Sequence, residues 1–174
     1  MPALSQEEKD SLNPIISPFE RSKEQKERIL RDGETSRGEF EEYIHDAIDN
    51  NRPRHNYIEL TVEEVQEHIK VRGRYKEKCF LWVIDETSIK IIREKTRNVL
   101  RTHDPECVCH TNLTGGGKAF IGGELFFGED GYIYINYFSD RYGNPSEIQW
   151  QTALSYFRRV GYKNVIDILE LLTK

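Results

Sequence analysis

Long apolar runs are missing from this chain. No stretch approaches the roughly 20 residues needed to cross a bilayer, so the sequence predicts no membrane partner. Cysteine is scarce. Cys79, Cys107 and Cys109 are an odd number, which does not make a disulfide framework. Positive charge is in deficit, with a net charge of -5, and this argues against the basic stripe of a protein that grips a nucleic-acid backbone. One basic cluster runs against the trend, "KVRGRYKEK" from Lys70 to Lys78. It reads as a solvated loop while keeping a nucleic-acid contact open. The opening "MPALSQEEKDS" has neither the basic nor the apolar region of a signal peptide. The expectation is a reduced, cytoplasmic protein.

Recognised metal and phosphate motifs are also missing. A Walker loop needs G-x-x-x-x-G-K followed by Ser or Thr. Counting back from Gly117-Lys118 puts Asn112 at the first glycine, and Ala119 follows the lysine, so the motif fails twice. The glycines at 115–117 read as a turn needing positive φ, with a backbone nest for an anion as the lesser reading. "HDPECVCH" brings His103, Cys107, Cys109 and His110 close in sequence. A structural zinc site shows paired knuckles with a distant second pair. Here the spacing is C-x-C and Cys79 stands alone, so the cysteines read as buried free thiols. The sequence predicts no metal site and no cofactor.

What is present is unevenly spread. The hydrophobic share of 37% is low and the charged share of 32% is high, and the first fifty-five residues are charged and apolar-poor. Both tryptophans and most aromatics lie from 79 onward. The division expected is an N-terminal arm with charged helices over 1–55 and a core domain over 56–174. Residues 1–18, with three prolines, read as an arm that is ordered only if something holds it. Residues 19–31 and about 37–48 read as charged helices.

Thr61 with Glu64 is a capping box opening a helix from about Val62 to Lys70, with Val62, Val65 and Ile69 on its apolar side. "CFLWVIDETSIKIIREK" reads as two strands around a "DETS" turn. "CVCHTNL", "KAFIGGELFF" and "GYIYINYF" then read as further strands. A helix follows over "NPSEIQWQTALSYFRRVG". Asn144 is its expected N-cap, Gly161 its C-cap, and Ile148, Ala153, Leu154 and Phe157 its apolar side. "KNVIDILELLTK" closes as a short helix or strand. The fold class is α+β: an antiparallel β-meander with helices packed on one face.

The candidate site lies in the meander. On a strand, His110 and Asn112 would share a face opposite Cys107, Cys109 and Thr111. Glycines inside a strand mark a bulge or close approach by another group, which Gly122 and Gly123 suggest. Glu124, among Phe, Ile and Leu, needs a partner, since a lone buried charge is costly. Arg141, Lys118 and His110 are the candidates. "NYFSDRYGNP" offers Asn136, Ser139, Arg141 and Tyr142 at a strand end, where functional groups gather. The expected catalytic set is His110, Glu124, Arg141 and Tyr142, and the expected ligand-binding set is Asn112, Lys118, Tyr134, Asn136 and Ser139. His and Glu would move protons while Arg holds developing negative charge. Whether Glu124 shares a face with Tyr134 and Asn136 turns on the register across "GEDG".

From about Val83 to Tyr142 the pattern "HTNL…GGEL-F-F…G-x-I-x-I-N-x2-S-x-R-Y" resembles a recurring module of small bacterial proteins, some in toxin or phage-defence settings. That resemblance brings no activity with it. The His-Thr pair followed by "GYIYINYFSDRY" is similar to the His…Tyr pattern of ADP-ribosyltransferases. That likeness implies that His110 with Tyr132 or Tyr134 would frame a nicotinamide and its ribose. The pattern's catalytic Glu has no equivalent here, and the His-to-Tyr segment is short for that fold. Two functional expectations result. One is a polar cleft for a phosphorylated ligand, a nucleotide or RNA, with acid–base chemistry. The other is a non-catalytic interaction module, an immunity protein or defence-complex subunit, docking on a protein partner through the N-terminal helices. No internal repeat points to an oligomeric state.

Overall fold

The structure, a computed structural model, describes residues 2–17, 59–71, 78–94, 110–139, 141–162 and 164–172. The charged helices expected over 19–31 and 37–48, most of the basic cluster, and His103, Cys107 and Cys109 lie outside the described residues.

The fold is α+β. Its strands are β1 (Glu59–Leu60), β2 (Phe80–Ile84), β3 (Ile89–Arg93), β4 (Ile121–Gly128), β5 (Ile133–Ile135) and β6 (Val165–Asp167). Among the described residues the helices are α1 (Gln6–Leu12), α2 (Val62–Lys70), the short α3 (His110–Thr114) and α4 (Glu147–Arg159), followed by a closing 3-10 turn, Ile168–Leu172. The sheet order is β3-β2-β4-β5-β6, with β1 beside the far end of β4. The antiparallel hairpins β2–β3 and β4–β5 are the expected ones, but β4 returns to pair with β2 rather than β3. Two parallel pairings, β1 with β4 and β5 with β6, make the sheet mixed.

Helices cover both faces. On one, Phe80, Trp82, Ile84, Leu125 and Ile135 pack against Leu12 of α1 and Trp150, Leu154 and Phe157 of α4. On the other, Leu81, Val83, Phe126 and Tyr134 pack with Val65 of α2, Leu113 of α3 and Ile168. The strands are buried on both sides: β2 carries an apolar residue at every position rather than at alternate ones, and all of β4 is buried. Trp82 anchors the first face, stacked on Trp150 at 6.2 Å and edge-on to Phe157 at 5.0 Å.

The local signals set the helix ends. Thr61 and Glu64 exchange both capping-box bonds, and α2 spans the residues expected. At α4 the N-cap is Ser146, not Asn144. Ser146 Oγ accepts from the Gln149 amide and Gln149 answers on the Ser146 amide, while Asn144 takes a left-handed φ of 58° before the helix begins. Ile148 is 67% exposed and leaves the apolar side to Trp150, Ala153, Leu154 and Phe157, at the i, i+3, i+4, i+7 spacing. Residues 2–17 are held against α4. Leu12 is fully buried, and Tyr156 Oη donates to the Pro2 carbonyl at 2.7 Å. Gln149 Nε2 donates to the Leu12 and Asn13 carbonyls, and Arg159 pairs with Glu8 at 2.7 Å. None of the helices among the described residues is long and apolar enough to cross a membrane.

The "DETS" turn is organised by Asp85. Its carboxylate accepts from the Thr87 amide at 2.8 Å, the Thr87 hydroxyl at 2.7 Å, the Ser88 amide at 3.0 Å and the Lys90 ammonium. Burial pushes this carboxyl upward, but Lys90, Thr87 and Ser88 outweigh burial and hold it below the usual aspartate value. A depressed folded pKa adds stability that is complete above the unfolded pKa and lost as pH falls through the folded one. Asp85→Asn is therefore expected to cost about 1 kcal/mol at neutral pH and to flatten the stability profile below about pH 4. Urea unfolding across pH checks this. A variant that keeps the parent's acid slope would show that the turn carries no such linkage.

Candidate functional site

Glu124 is the polar centre of the second face. It lies on β4 opposite Leu81 of β2 and is 5% exposed. The register across the β4–β5 hairpin pairs Phe126 with Tyr134, so Glu124, Tyr134 and Asn136 share a face. Asn136 fits the ladder twice. Its amide donates to the Glu124 carbonyl at 3.1 Å, and its side-chain oxygen accepts the Glu124 amide at 2.9 Å. Its Nδ2 donates to Glu124 Oε1 at 3.0 Å.

The same carboxylate oxygen accepts from His68 Nε2 at 3.2 Å, and Cys79 Sγ points to Glu124 Oε2 at 3.5 Å. The partners of Glu124 are thus His68, Asn136 and Cys79, in place of the Arg141, Lys118 and His110 expected from sequence. His68 comes from α2, fully buried and tilted on Phe126 at 4.5 Å. Cys79 precedes β2. Burial disfavours charge on Glu124, but the His68 hydrogen bond and charge, with Asn136 and Cys79, outweigh it and hold the carboxyl below its usual value. Burial, then the nearby Glu124 and Glu94, push the Cys79 thiol well above its usual value, so the sulfur keeps its proton.

His110 belongs to a second group on this face. The strand expected through "CVCHTNL" is, from His110, the helical turn α3. Gly115 and Gly116 take φ of 61° and 79° and close it, with Gly116 and Gly117 amides bonding the Thr111 and Thr114 carbonyls. The triple glycine is a helix-terminating turn, and those two amides are spent on the protein itself rather than on an anion. Strand alternation therefore does not govern His110, Thr111 and Asn112. His110 Nε2 meets the Gly123 carbonyl at 2.8 Å, one residue before Glu124, and its ring approaches Tyr142 at 6.5 Å. Arg141, 4% exposed, donates from Nη1 to Thr111 Oγ1 at 2.7 Å. Tyr142 is fully buried. Its hydroxyl donates to the Gly117 carbonyl at 2.7 Å and lies 3.0 Å from Thr114 Oγ1, while its amide donates to Ser139 Oγ at 3.1 Å.

Two expected residues stand apart. Lys118 is exposed in the turn before β4. The Tyr134 hydroxyl turns to Asp130 of the hairpin loop. Burial and Asp130 push that phenol up, so it stays protonated. Tyr132, the other tyrosine of the ADP-ribosyltransferase likeness, is 45% exposed, and the His-Thr strand of that pattern is the helix α3.

Compared with known proteins, this chain matches no family model, no curated protein and no solved structure. Sequence reading missed His68, Cys79 and Glu94. His68 was within reach: it falls three residues after Val65 on the stripe that α2 buries. Cys79 and Glu94 gave no such signal, because only the β2–β3 register brings them beside each other, with the Glu94 amide bonding the Cys79 carbonyl at 3.0 Å.

The paired glycines admit close neighbours on the two opposite faces of β4. A Cβ on Gly123 would lie 1.9 Å from the Asn136 carbonyl oxygen, where the chain leaves β5, and one on Gly122 would press on Tyr142 Cβ at 3.1 Å. Gly123→Ala is expected to destabilise by about 3 kcal/mol or more, since backbone rather than a flexible side chain must give way. Urea unfolding followed by tryptophan fluorescence measures it. A cost below about 1 kcal/mol would contradict this crossing.

Proposed function

We propose that the protein binds a phosphorylated ligand, a nucleotide or an RNA segment, at the polar face of its sheet and acts on it by acid–base chemistry. The observation that carries this reading is the meeting of His110, Thr111 and Arg141 beside Glu124's strand, with Arg141 bonded to Thr111 and His110 bonded to the Gly123 carbonyl. A carbonyl only accepts, so the neutral His110 ring carries its proton on Nε2 and its lone pair on Nδ1. His110 is half-buried, unlike its fully packed neighbours, and is the proton-moving group. Arg141 is a permanent cation whose planar fork suits phosphate oxygens, and it holds the negative charge that develops. Glu124, anchored by His68 and Asn136, fixes the strand that presents the Gly123 carbonyl. The interaction-module reading rests on helices outside the described residues.

Native mass spectrometry after exposure to a nucleotide and oligoribonucleotide mixture tests this. A retained phosphorylated mass is expected. His110→Ala should slow turnover of that ligand about a hundredfold or more while costing about 1 kcal/mol of stability, and Arg141→Lys should weaken binding about tenfold. A bare chain, or a His110→Ala protein that binds and turns over ligand like the parent, would overturn the proposal.

A further inference from the structure

Three donors of different chemistry converge on the polar face where β2 begins and β3 ends. Cys79 Sγ, a Glu94 carboxylate oxygen and a Glu124 carboxylate oxygen all lie within 4.8 Å of one another. Cys79 and Glu124 are buried and Glu94 is half-buried. A tetrahedral ion with bonds of about 2.0–2.3 Å holds its ligands about 3.3–3.8 Å apart, and the Cys79 Sγ to Glu124 Oε2 distance is 3.5 Å.

The orientation of Glu124 is set from outside this trio. His68 Nε2 and Asn136 Nδ2 both engage Oε1, which leaves Oε2 facing the thiol. This is the arrangement that supports a metal-binding carboxylate, one oxygen pinned by hydrogen bonds and the other presented. His68 is fully buried, and the ring nitrogen that faces the site, Nε2, is committed to Glu124 Oε1.

We propose that Cys79, Glu94 and Glu124 form a site for one divalent transition-metal ion of the zinc class, with His68 and Asn136 orienting Glu124. One soft sulfur with two carboxylate oxygens selects for such an ion over magnesium or calcium, which favour all-oxygen sets. Three protein donors leave a fourth position of a tetrahedron for water or a ligand atom. On binding, the Cys79 S–H bond breaks, a sulfur–metal bond forms and the proton leaves to solvent, so affinity rises with pH. This proposal shares with the His110–Arg141 reading only the Glu124 anchor that holds β4, and it survives the failure of that reading.

The test uses the full chain stripped with a chelator and titrated with Co²⁺ alone. The expected result is one ion per chain, with the intense near-ultraviolet absorption of a thiolate–cobalt bond and the visible bands of tetrahedral cobalt, displaced by Zn²⁺. Cys79→Ser should abolish the thiolate band, and Glu94→Gln should weaken binding at least about tenfold. A Cys107→Ser/Cys109→Ser chain should keep the band, which guards against a Cys79 variant that merely misfolds. Absence of binding, or a thiolate band lost with Cys107 and Cys109 rather than with Cys79, would overturn the site.

Discussion

A carboxylate buried on the central strand dictates what surrounds it. β4 is the strand that β1, β2 and β5 all join, and Glu124 stands in its middle with Phe126 and Tyr134 beside it on the same face. An ion there without partners would cost several kcal/mol. Three elements distant in sequence answer that demand. His68 arrives on α2, Asn136 at the end of β5 and Cys79 at the start of β2. Each is also a structural junction. Asn136 continues the ladder with β4, and Cys79 leads into the most apolar strand of the sheet. The site and the sheet are one set of hydrogen bonds, so polar chemistry here is rigid by construction.

The other face does the opposite work. It is mainly apolar, with Trp82 against both Trp150 and Phe157. Its buried carboxylate, Asp167, accepts from Trp150 Nε1 at 2.9 Å, and residues 2–17 are strapped across α4 by Gln149, Tyr156 and Arg159. This division explains the two glycines in mid-strand. The chain leaving β5 crosses directly over Gly123, and Tyr142 covers Gly122 on the polar side. Glycine there is a steric requirement of the crossing, and it places His110, Tyr142 and Glu124 around one short length of β4.

Much of the frame was readable from short-range chemistry. The Thr61–Glu64 box, the Asp85 turn, the β4–β5 hairpin and the long C-terminal helix follow from capping, turn residues and apolar spacing, all of which act within a few residues. Where structure and sequence differ, two local signals compete. Glycines after "HTNLT" suit a hairpin turn, but left-handed glycines equally close a helix, and that is what Gly115 and Gly116 do. Asn144 precedes Pro145, but Ser146 and Gln149 form the complete capping box. The need of Glu124 for a partner is legible from its apolar surroundings, whereas its face-sharing with Asn136 depends on register. His68, 56 residues away in sequence, could be named only once α2 was laid across the sheet.

The His68–Glu124 contact is an energetic coupling and not an accident of packing. A double-mutant cycle on the chelator-treated protein measures it directly, with His68→Asn, Glu124→Gln and the double variant followed by urea unfolding. A coupling of about 1.5–3 kcal/mol is expected. Costs that simply add, within about 0.5 kcal/mol, would contradict it.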